Sequence, residues 1–349
     1  MLNTPQLDRV LVTGAGGYIG TAVVDSLLAA GKTVIGLDRY FFGEDTLGDS
    51  RLHPAFHLVR KDIREIDEAD LAGVDAVCDL AALSNDPSGA LNEELTYAIN
   101  HKARARLAKI ARVARVQRYV LASSCAIYGN NNTEECLTEM SRPSPISTYA
   151  KASLKAEHDI LDLANSYFSV TALRLSTVFG LAKRMRFDLV INAMTLSAIQ
   201  KGRIFVTGGG RQWRPVVHVK DAARAFKIVL AADAAVVNGE VFNIGSSEYN
   251  FQLLSLAHIV RETLPIFIVL DILPNDHDVR NYKVSFEKVA RILAFAPRYT
   301  PADGALEIYQ ALKSGRIDTG IKTITVRWYQ HLMEAKHLGD ALSMDDRTL

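Results

Sequence analysis

Short runs of β-branched and other apolar residues alternate along the first half of the chain with longer stretches whose apolar positions recur at helical spacing. Strands and helices in that alternation build a parallel sheet with crossover helices. The pattern predicts strands over Arg9 to Thr13, Thr33 to Asp38, Phe56 to Val59, Ala76 to Leu80, Arg118 to Ser123 and Val170 to Arg174. A first helix is expected from Tyr18 to Gly31, where a glycine suits a C-terminal cap. A second is expected from Asn92 to Ala114, rich in Ala, Leu, Lys and Arg, and a third from Thr148 to Asn165. The expected class is α/β, a doubly wound parallel sheet with helices on both faces. Beyond Gly180 the pattern loosens into the basic segment 182–188, the turn Thr207 to Gly210 and several short elements. Residues 1–180 therefore form the expected first domain, with a later strand near 240–245 returning to its sheet. Residues 181–349 form a smaller α/β region. No repeat, low-complexity tract or Gly/Ser linker separates the two, so they are expected to share one rigid body.

Composition narrows the class further. Apolar residues make up 48% of the 349 and charged residues 23%, the balance of a folded chain rather than a disordered one. Forty basic residues against thirty-nine acidic ones leave a net charge of +1, which offers no field for attracting a polyanion. No nucleic-acid partner is expected. The N-terminus lacks a basic segment ahead of an apolar one, and no stretch approaches ~18 uninterrupted apolar residues. A cytoplasmic chain with no membrane partner is expected. Cys78, Cys125 and Cys136 are an odd number without CxxC spacing, so neither a disulfide framework nor a metal site is expected.

The chemistry begins at Val10 to Gly20, VLVTGAGGYIG, where a strand feeds Gly14, Gly17 and Gly20 and then a helix. Glycines at those positions let a diphosphate approach the backbone N–H groups of a helix N-terminus, whose dipole favours negative charge. Asp38 follows 18 residues after Gly20, at the end of the second strand. There a carboxylate accepts hydrogen bonds from an adenosine ribose and repels a 2′-phosphate, which favours NAD over NADP. The first domain thus reads as an NAD-binding Rossmann unit, with Tyr18 and Ile19 on the same loop.

With these motifs in order, the chain resembles the extended short-chain dehydrogenase/reductases, in particular the NAD-dependent nucleotide-sugar epimerases and dehydratases, over nearly its whole length. Lys61-Asp62-Ile63 resembles the adenine-contacting segment, and Leu80-Ala81-Ala82 the turn that lines the cofactor. Asn100 falls where the family carries a helix asparagine, and the segment from Ser123 to Gly129 resembles the active-site strand. The resemblance implies that Ser124 hydrogen-bonds the reacting sugar hydroxyl and that Tyr149 is the acid/base. Ser123, Tyr149 and Ser176 are placed beside the cofactor by the same resemblance. Gln212 to Val219 is similar to the segment whose arginine grips a nucleotide diphosphate, which selects Arg214. Arg280, within Asp278-Val279-Arg280-Asn281-Tyr282, is similar to a second phosphate-binding arginine. A planar guanidinium suits both roles, because it can hold phosphate oxygens in a bidentate fork. The implied partner is a nucleotide-diphosphate sugar, and the family implies a homodimer through helices matching 92–114 and 148–165.

Two departures shape the expected reaction. The family couples its tyrosine to a lysine one helical turn on, and here that position is Ser153. Lys151 and Lys155 are two and six residues from Tyr149, on other faces of the helix. Bringing a phenol of pKa about 10 to a base working near pH 7 takes ~4 kcal/mol of differential stabilisation, and Ser153 carries no charge to supply it. A water held by Ser153 is one way to relay a proton. Relatives that eliminate water carry an acid two residues before the Tyr128-Gly129 pair; here that residue is Ala126, which disfavours a 4,6-dehydratase. Cys125 beside it is a candidate acid/base or nucleophile, set against ordinary packing. The expected activity is hydride transfer from a sugar carbon, C4, to NAD, as an epimerase or dehydrogenase. The alternative is a weak or silent sensor or scaffold that binds NAD and a nucleotide sugar. The stretch Arg184 to Asn192, with Val284-Ser285-Phe286, resembles a subgroup acting on heptoses or deoxysugars. An acid at Asp188 there suits a hydroxyl-rich sugar better than a uronic acid.

Overall fold

The computed structural model describes residues 7–130, 135–274, 280–344 and 347–348. In chain order its main strands are β1 (Arg9–Thr13), β2 (Thr33–Asp38), β3 (Phe56–Arg60), β4 (Ala76–Asp79), β5 (Arg118–Ser124), β6 (Ser169–Leu175), β7 (Thr177–Phe179), β8 (Arg203–Val206), β9 (Trp213–His218), β10 (Glu240–Ile244), β11 (Asn250–Gln252) and β12 (Val269–Ile272). The main helices are α1 (Tyr18–Leu28), α2 (Arg104–Val113), α3 (Thr148–Leu161), α4 (Val190–Lys201), α5 (Val219–Ala231), α6 (Leu253–Thr263), α7 (Pro301–Lys313) and α8 (Thr325–Leu342).

Seven parallel strands form the central sheet in the order β10-β6-β5-β4-β1-β2-β3. The order reverses at β1, and a crevice opens there beyond the carboxyl ends of β1 and β4. Thr13 pairs with both Leu37 and Asp79, so these strands end level with one another. Alternation along β1 explains the layers. Val10 and Val12 face one side, where they join Val23, Val24 and Leu27 of α1 and Phe226 and Val229 of α5. Leu11 faces the other, with Leu107 and Ala111 of α2 and Ile160 of α3. The strand pattern and the helical pattern meet on both faces of one sheet, the Rossmann arrangement.

The strands match the sequence expectation to within one residue at each end. The helices differ more. The first stops at Leu28, and Gly31 adopts φ +75° just beyond it. The second runs as Glu93–Tyr97, a π-helical turn Ala98–Ala103 and α2. Asn92 caps it through Oδ1, which accepts from Leu95 N–H at 2.8 Å. The third ends at Leu161, because the Asn165 side chain accepts from the Tyr167 and Phe168 N–H groups and turns the chain.

The second region has its own core of Phe179, Ile191, Met194, Ile204, Val216, Leu256, Val260 and Ala305. β9 links the regions, pairing in parallel with β7 and antiparallel with β11. β12 pairs in parallel with β8.

Under the crevice lies a buried polar network. Asp79 Oδ2 accepts from Arg104 Nε at 2.8 Å and from the Tyr119 hydroxyl at 2.7 Å. Asp79 Oδ1 accepts from Thr13 Oγ1 at 2.8 Å, and that hydroxyl oxygen accepts from the Leu80 and Ala81 N–H groups. Arg104 also donates to the carbonyls of Asp79 and Ala122. Replacing Arg104 by Met leaves a buried carboxylate without its cation, so urea unfolding should show a loss of ~3–5 kcal/mol. A loss below about 1 kcal/mol would show that the pair does not hold these strand ends.

Candidate active site

The glycine loop is built by close approach. Gly14 has φ +69°, and a Cβ there would stand 3.0 Å from the Leu80 and Ala81 backbone. A Cβ on Gly17 would lie 3.0 Å from the Gly14 carbonyl oxygen, and one on Gly20 only 1.9 Å from it. No side chain caps α1, whose N-cap is Gly17, so its first-turn N–H groups face the crevice as an anion site. This cradle fits the diphosphate of a dinucleotide. Tyr18 and Ile19 are the first two residues of α1, in the turn that no side chain caps. The Tyr18 hydroxyl is committed to the fold, donating to the Gly180 carbonyl at 2.6 Å and accepting from Asn192 Nδ2 at 3.1 Å.

Asp38 closes one end. Its carboxylate accepts from Gly16 N–H at 3.1 Å and Tyr40 N–H at 2.7 Å. Burial raises its pKa, opposed by those N–H groups and by the Arg184 charge. Asp62, in the segment that resembles the adenine contact, is engaged within the protein. It is buried and held by Arg39 at 2.9 Å and Arg64 at 2.7 Å, and hydrogen bonding by Arg64 keeps its carboxyl well below the usual range. Ile63 beside it is buried. The turn Leu80 to Ala82 is fixed by Thr13 from one side. From the other, Asn100 accepts from Leu83 N–H at 2.8 Å and donates to the Leu83 carbonyl at 3.0 Å. Asn100 sits in the π-helical turn, a local widening that marks functional segments of helices.

Ser124 ends β5 and Tyr149 opens α3, whose N-cap Ser147 accepts from Ala150 N–H and donates to Asp86. The Ser124 hydroxyl oxygen accepts from Ala126 N–H at 3.1 Å, and Ser124 is close enough to the Tyr149 phenol to favour its ionised form. Burial raises the Tyr149 pKa above 10; Ser124 opposes that rise, Asp86 adds to it, and Arg104 and Arg186 oppose it. Ser153 is turned away: its hydroxyl donates to the Tyr149 carbonyl at 2.9 Å. Lys151 is exposed, and Lys155 lies 5.5 Å over the Tyr97 ring. Cys125 is packed, donating to the Arg174 carbonyl at 3.3 Å, and burial pushes its thiol up to about 12. A thiol so placed is not a nucleophile at neutral pH. The Ser123 hydroxyl donates to Glu157, which pairs with Arg174, and the Ser176 hydroxyl donates to the Ile244 carbonyl. Both serve the fold beneath the site.

Arg214 is buried and donates to the carbonyls of Trp213 and Arg280. Arg280 pairs with Asp86 at 2.8 Å, the carboxylate that Ser147 also reaches. The two sequence-predicted arginines therefore meet beside the Tyr149 end of the crevice. Asp278 and Val279 of their motif lie outside the described residues. Asp188 is not a free acid. Arg186 grips both its oxygens, at 3.0 and 2.9 Å, and Asn85 Nδ2 donates to it at 2.8 Å. The pair carries no net charge, which removes the reason given for excluding a uronic acid.

Sequence reasoning passed over Thr13, Asp79, Arg104, Tyr119 and Arg186. Arg104 had left a signal, since it shares the buried helix face of Ala108 and Ala111. Among the described residues no group of three His, Cys, Asp or Glu side chains is arranged to hold a metal, and no helix is long and apolar enough to cross a membrane.

The model of the "NAD dependent epimerase/dehydratase family" matches residues 10–245. Among curated relatives, an "uncharacterized UDP-glucose epimerase YtcB" of Bacillus subtilis is 29% identical over 250 residues, covering 69% of this chain and 77% of its own. A dTDP-glucose 4,6-dehydratase of Streptomyces niveus is 27% identical over 323 residues, covering 88% and 94%. Among solved structures, MoeE5 in complex with UDP-glucuronic acid and NAD superposes with a TM-score of 0.77 at 26% identity, covering 88% of this chain and 99% of that one.

The Asp38 carboxylate, held by the Gly16 and Tyr40 N–H groups, is expected to set the cofactor preference. Asp38→Ser should reduce the preference for NADH over NADPH by about ten-fold or more in fluorescence titrations, by removing the charge that opposes a 2′-phosphate. An unchanged preference would place the discrimination elsewhere.

Proposed function

Because this chain belongs to the NAD dependent epimerase/dehydratase family, we propose that it oxidises the C4 hydroxyl of a nucleotide-diphosphate sugar and returns the hydride to the opposite face, giving the C4 epimer. NAD is the cofactor, and when bound it takes the hydride from C4 and gives it back. The observation that supports the reading is the placing of Ser124, at the carboxyl end of β5, and Tyr149, in the first turn of α3, at one end of the crevice, where Asp86 joins Ser147 to Arg280 and Arg280 meets Arg214. Tyr149 removes the C4 hydroxyl proton as the carbonyl forms and restores it after the sugar has turned over. Ser124 orients the reacting oxygen. Arg214 and Arg280 hold the diphosphate, leaving the sugar free to rotate at its anomeric linkage. Ala126, which is buried, stands where relatives that eliminate water carry an acid, which favours epimerisation over dehydration.

The positive field on Tyr149 comes in this chain from Arg104 and Arg186, standing in for the lysine that the family carries at the position of Ser153. Both are held in place, Arg104 by Asp79 and Arg186 by Asp188. A field from side chains already paired with carboxylates is weaker than that of a dedicated ammonium, so the base form is scarce at neutral pH.

The second reading is a silent binder of NAD and nucleotide sugar. One observation favours it: the Ser153 hydroxyl is spent on the Tyr149 carbonyl and does nothing for the phenol. Single-turnover absorbance in the reduced-nicotinamide band separates the two readings, because a silent binder gives no signal with any nucleotide sugar.

Tyr149→Phe should lower kcat by about 10²-fold or more while leaving nucleotide-sugar binding near wild type. Undiminished turnover would remove Tyr149 from the reaction. The raised Tyr149 pKa predicts turnover that climbs as pH rises from 7 toward 10, since the phenolate starts the oxidation. Ser153→Lys should move that profile toward lower pH and raise the rate at pH 7. A profile unmoved by the new ammonium would contradict Tyr149 as the titrating base.

A further inference from the structure

The C-terminal segment 321–342 is bound across the mouth of the cofactor crevice and touches both of its walls. On the adenosine side, Trp328 Nε1 donates to the Phe41 carbonyl at 2.7 Å, and the Tyr329 ring centroid lies 5.6 Å from Phe42 and 6.3 Å from Phe41. These phenylalanines follow Asp38 by three and four residues. On the substrate side, Phe187 N–H donates to the Thr323 carbonyl and Arg184 Nη2 to Thr325 Oγ1, each at 2.8 Å. Arg184 itself bridges the walls, its guanidinium carbon 3.8 Å from the centre of the Phe42 ring. α8 also packs on the short helix Asp86–Gly89, which abuts Tyr149. The segment therefore reaches from the ribose carboxylate to the acid/base end of the site.

Charge is unbalanced beneath this strap. Arg184 is 5% exposed, and its Nε has no hydrogen-bond partner. Asp188 is taken up by Arg186, and among the described residues no carboxylate pairs with Arg184. A buried guanidinium beside a second one is costly unless an anion joins them. Burial, then the neighbouring Arg186, push Arg184 down to about 9. Both arginines act on Tyr18, the first residue of α1, where the uncapped N–H groups of the glycine loop converge. Tyr329, packed on the rings of Phe41 and Phe42, feels the charges of Arg184, Asp38, Arg186 and Asp188, and burial pushes its hydroxyl up to about 12, so it stays protonated as a donor.

We propose that Arg184 and Tyr329 are cofactor-binding residues, closing over the dinucleotide diphosphate from the side opposite the glycine loop, with α8 as the strap that holds NAD in place between turnovers. The inference rests on the glycine loop holding NAD and does not depend on which sugar is oxidised. A strap tied to both walls must loosen for the dinucleotide to leave, so release is slow and the reaction is self-contained.

The test is NADH binding and release, followed by nicotinamide fluorescence in the full-length protein, for the wild type, Arg184→Gln, Tyr329→Phe and Tyr329→Ala. Loss of a charge-assisted contact should weaken NADH binding by about ten-fold or more in Arg184→Gln. The same variant should change the affinity for adenosine, which has no diphosphate, by less than about two-fold. Tyr329→Ala should speed NADH release by about ten-fold, with Tyr329→Phe intermediate. Retained adenosine binding identifies each variant as folded. Unchanged NADH affinity and release in the variants, or tighter binding in Tyr329→Ala, would overturn the proposal, the latter by making the strap a plug. A wild type that binds no NADH would instead overturn the dinucleotide reading of the loop itself.

Discussion

The arrangement depends on the buried Asp79–Arg104 pair beneath the crevice. A carboxylate and a guanidinium removed from water are stable together only with their remaining polar sites occupied, and here Thr13, Tyr119 and two main-chain carbonyls occupy them. Because the partners come from β1, β4, β5 and α2, satisfying the charges fixes where those elements end. The Leu80–Ala82 turn then lies against Gly14, at a distance that only a glycine tolerates. Asn100 locks the far end of the same turn. The cofactor cradle is thus the upper surface of a polar knot in an otherwise apolar core. Arg104 is also one of the two cations that act on Tyr149, so fold and chemistry share a residue.

What the sequence made legible is what local pattern controls. The strand limits, the glycine loop and the Asp38 spacing could all be read from runs of fewer than about 30 residues, the reach of one βαβ unit, whereas Ser124 and Tyr149 were singled out only by the resemblance to the family. Asn100 was placed correctly on a helix, but its work on the Leu83 backbone depends on a π-helical turn that apolar periodicity does not reveal. Asp62 was placed at the adenine by resemblance, and Asp188 was read as an acid facing the sugar. Each sits two residues from an arginine in the chain, and folding turned both into ion pairs. Cys125 stood in a chemically suggestive place, yet the turn Cys125–Tyr128 that carries it, directly after β5, is buried. Tyr329 lies 291 positions from Asp38, and no local signal could have brought them to one crevice.

In the proposed reaction, electrostatics set what a chain with Ser153 in place of the family's lysine has to overcome. Burial works against ionising Tyr149, and Asp86, needed to seat Arg280 and Ser147, works against it too. Two arginines pull the other way from positions set by their own carboxylates. In the proposed reaction this makes proton transfer at Tyr149 slow near neutral pH, and the proposed strap would keep the cofactor in the crevice meanwhile. Epimerisation suits such a site, because the hydride that leaves the sugar has to return before the dinucleotide exchanges.

The account's central claim is an internal, reversible hydride transfer at C4, and isotopic labelling tests it most directly. Incubating the protein with UDP-glucose deuterated at C4, and analysing the sugar nucleotide by mass spectrometry and NMR, follows the hydrogen itself. The account predicts the C4 epimer with its deuterium retained at C4 and none found in free NADH. Loss of the label from C4, or its appearance in released NADH, would contradict it.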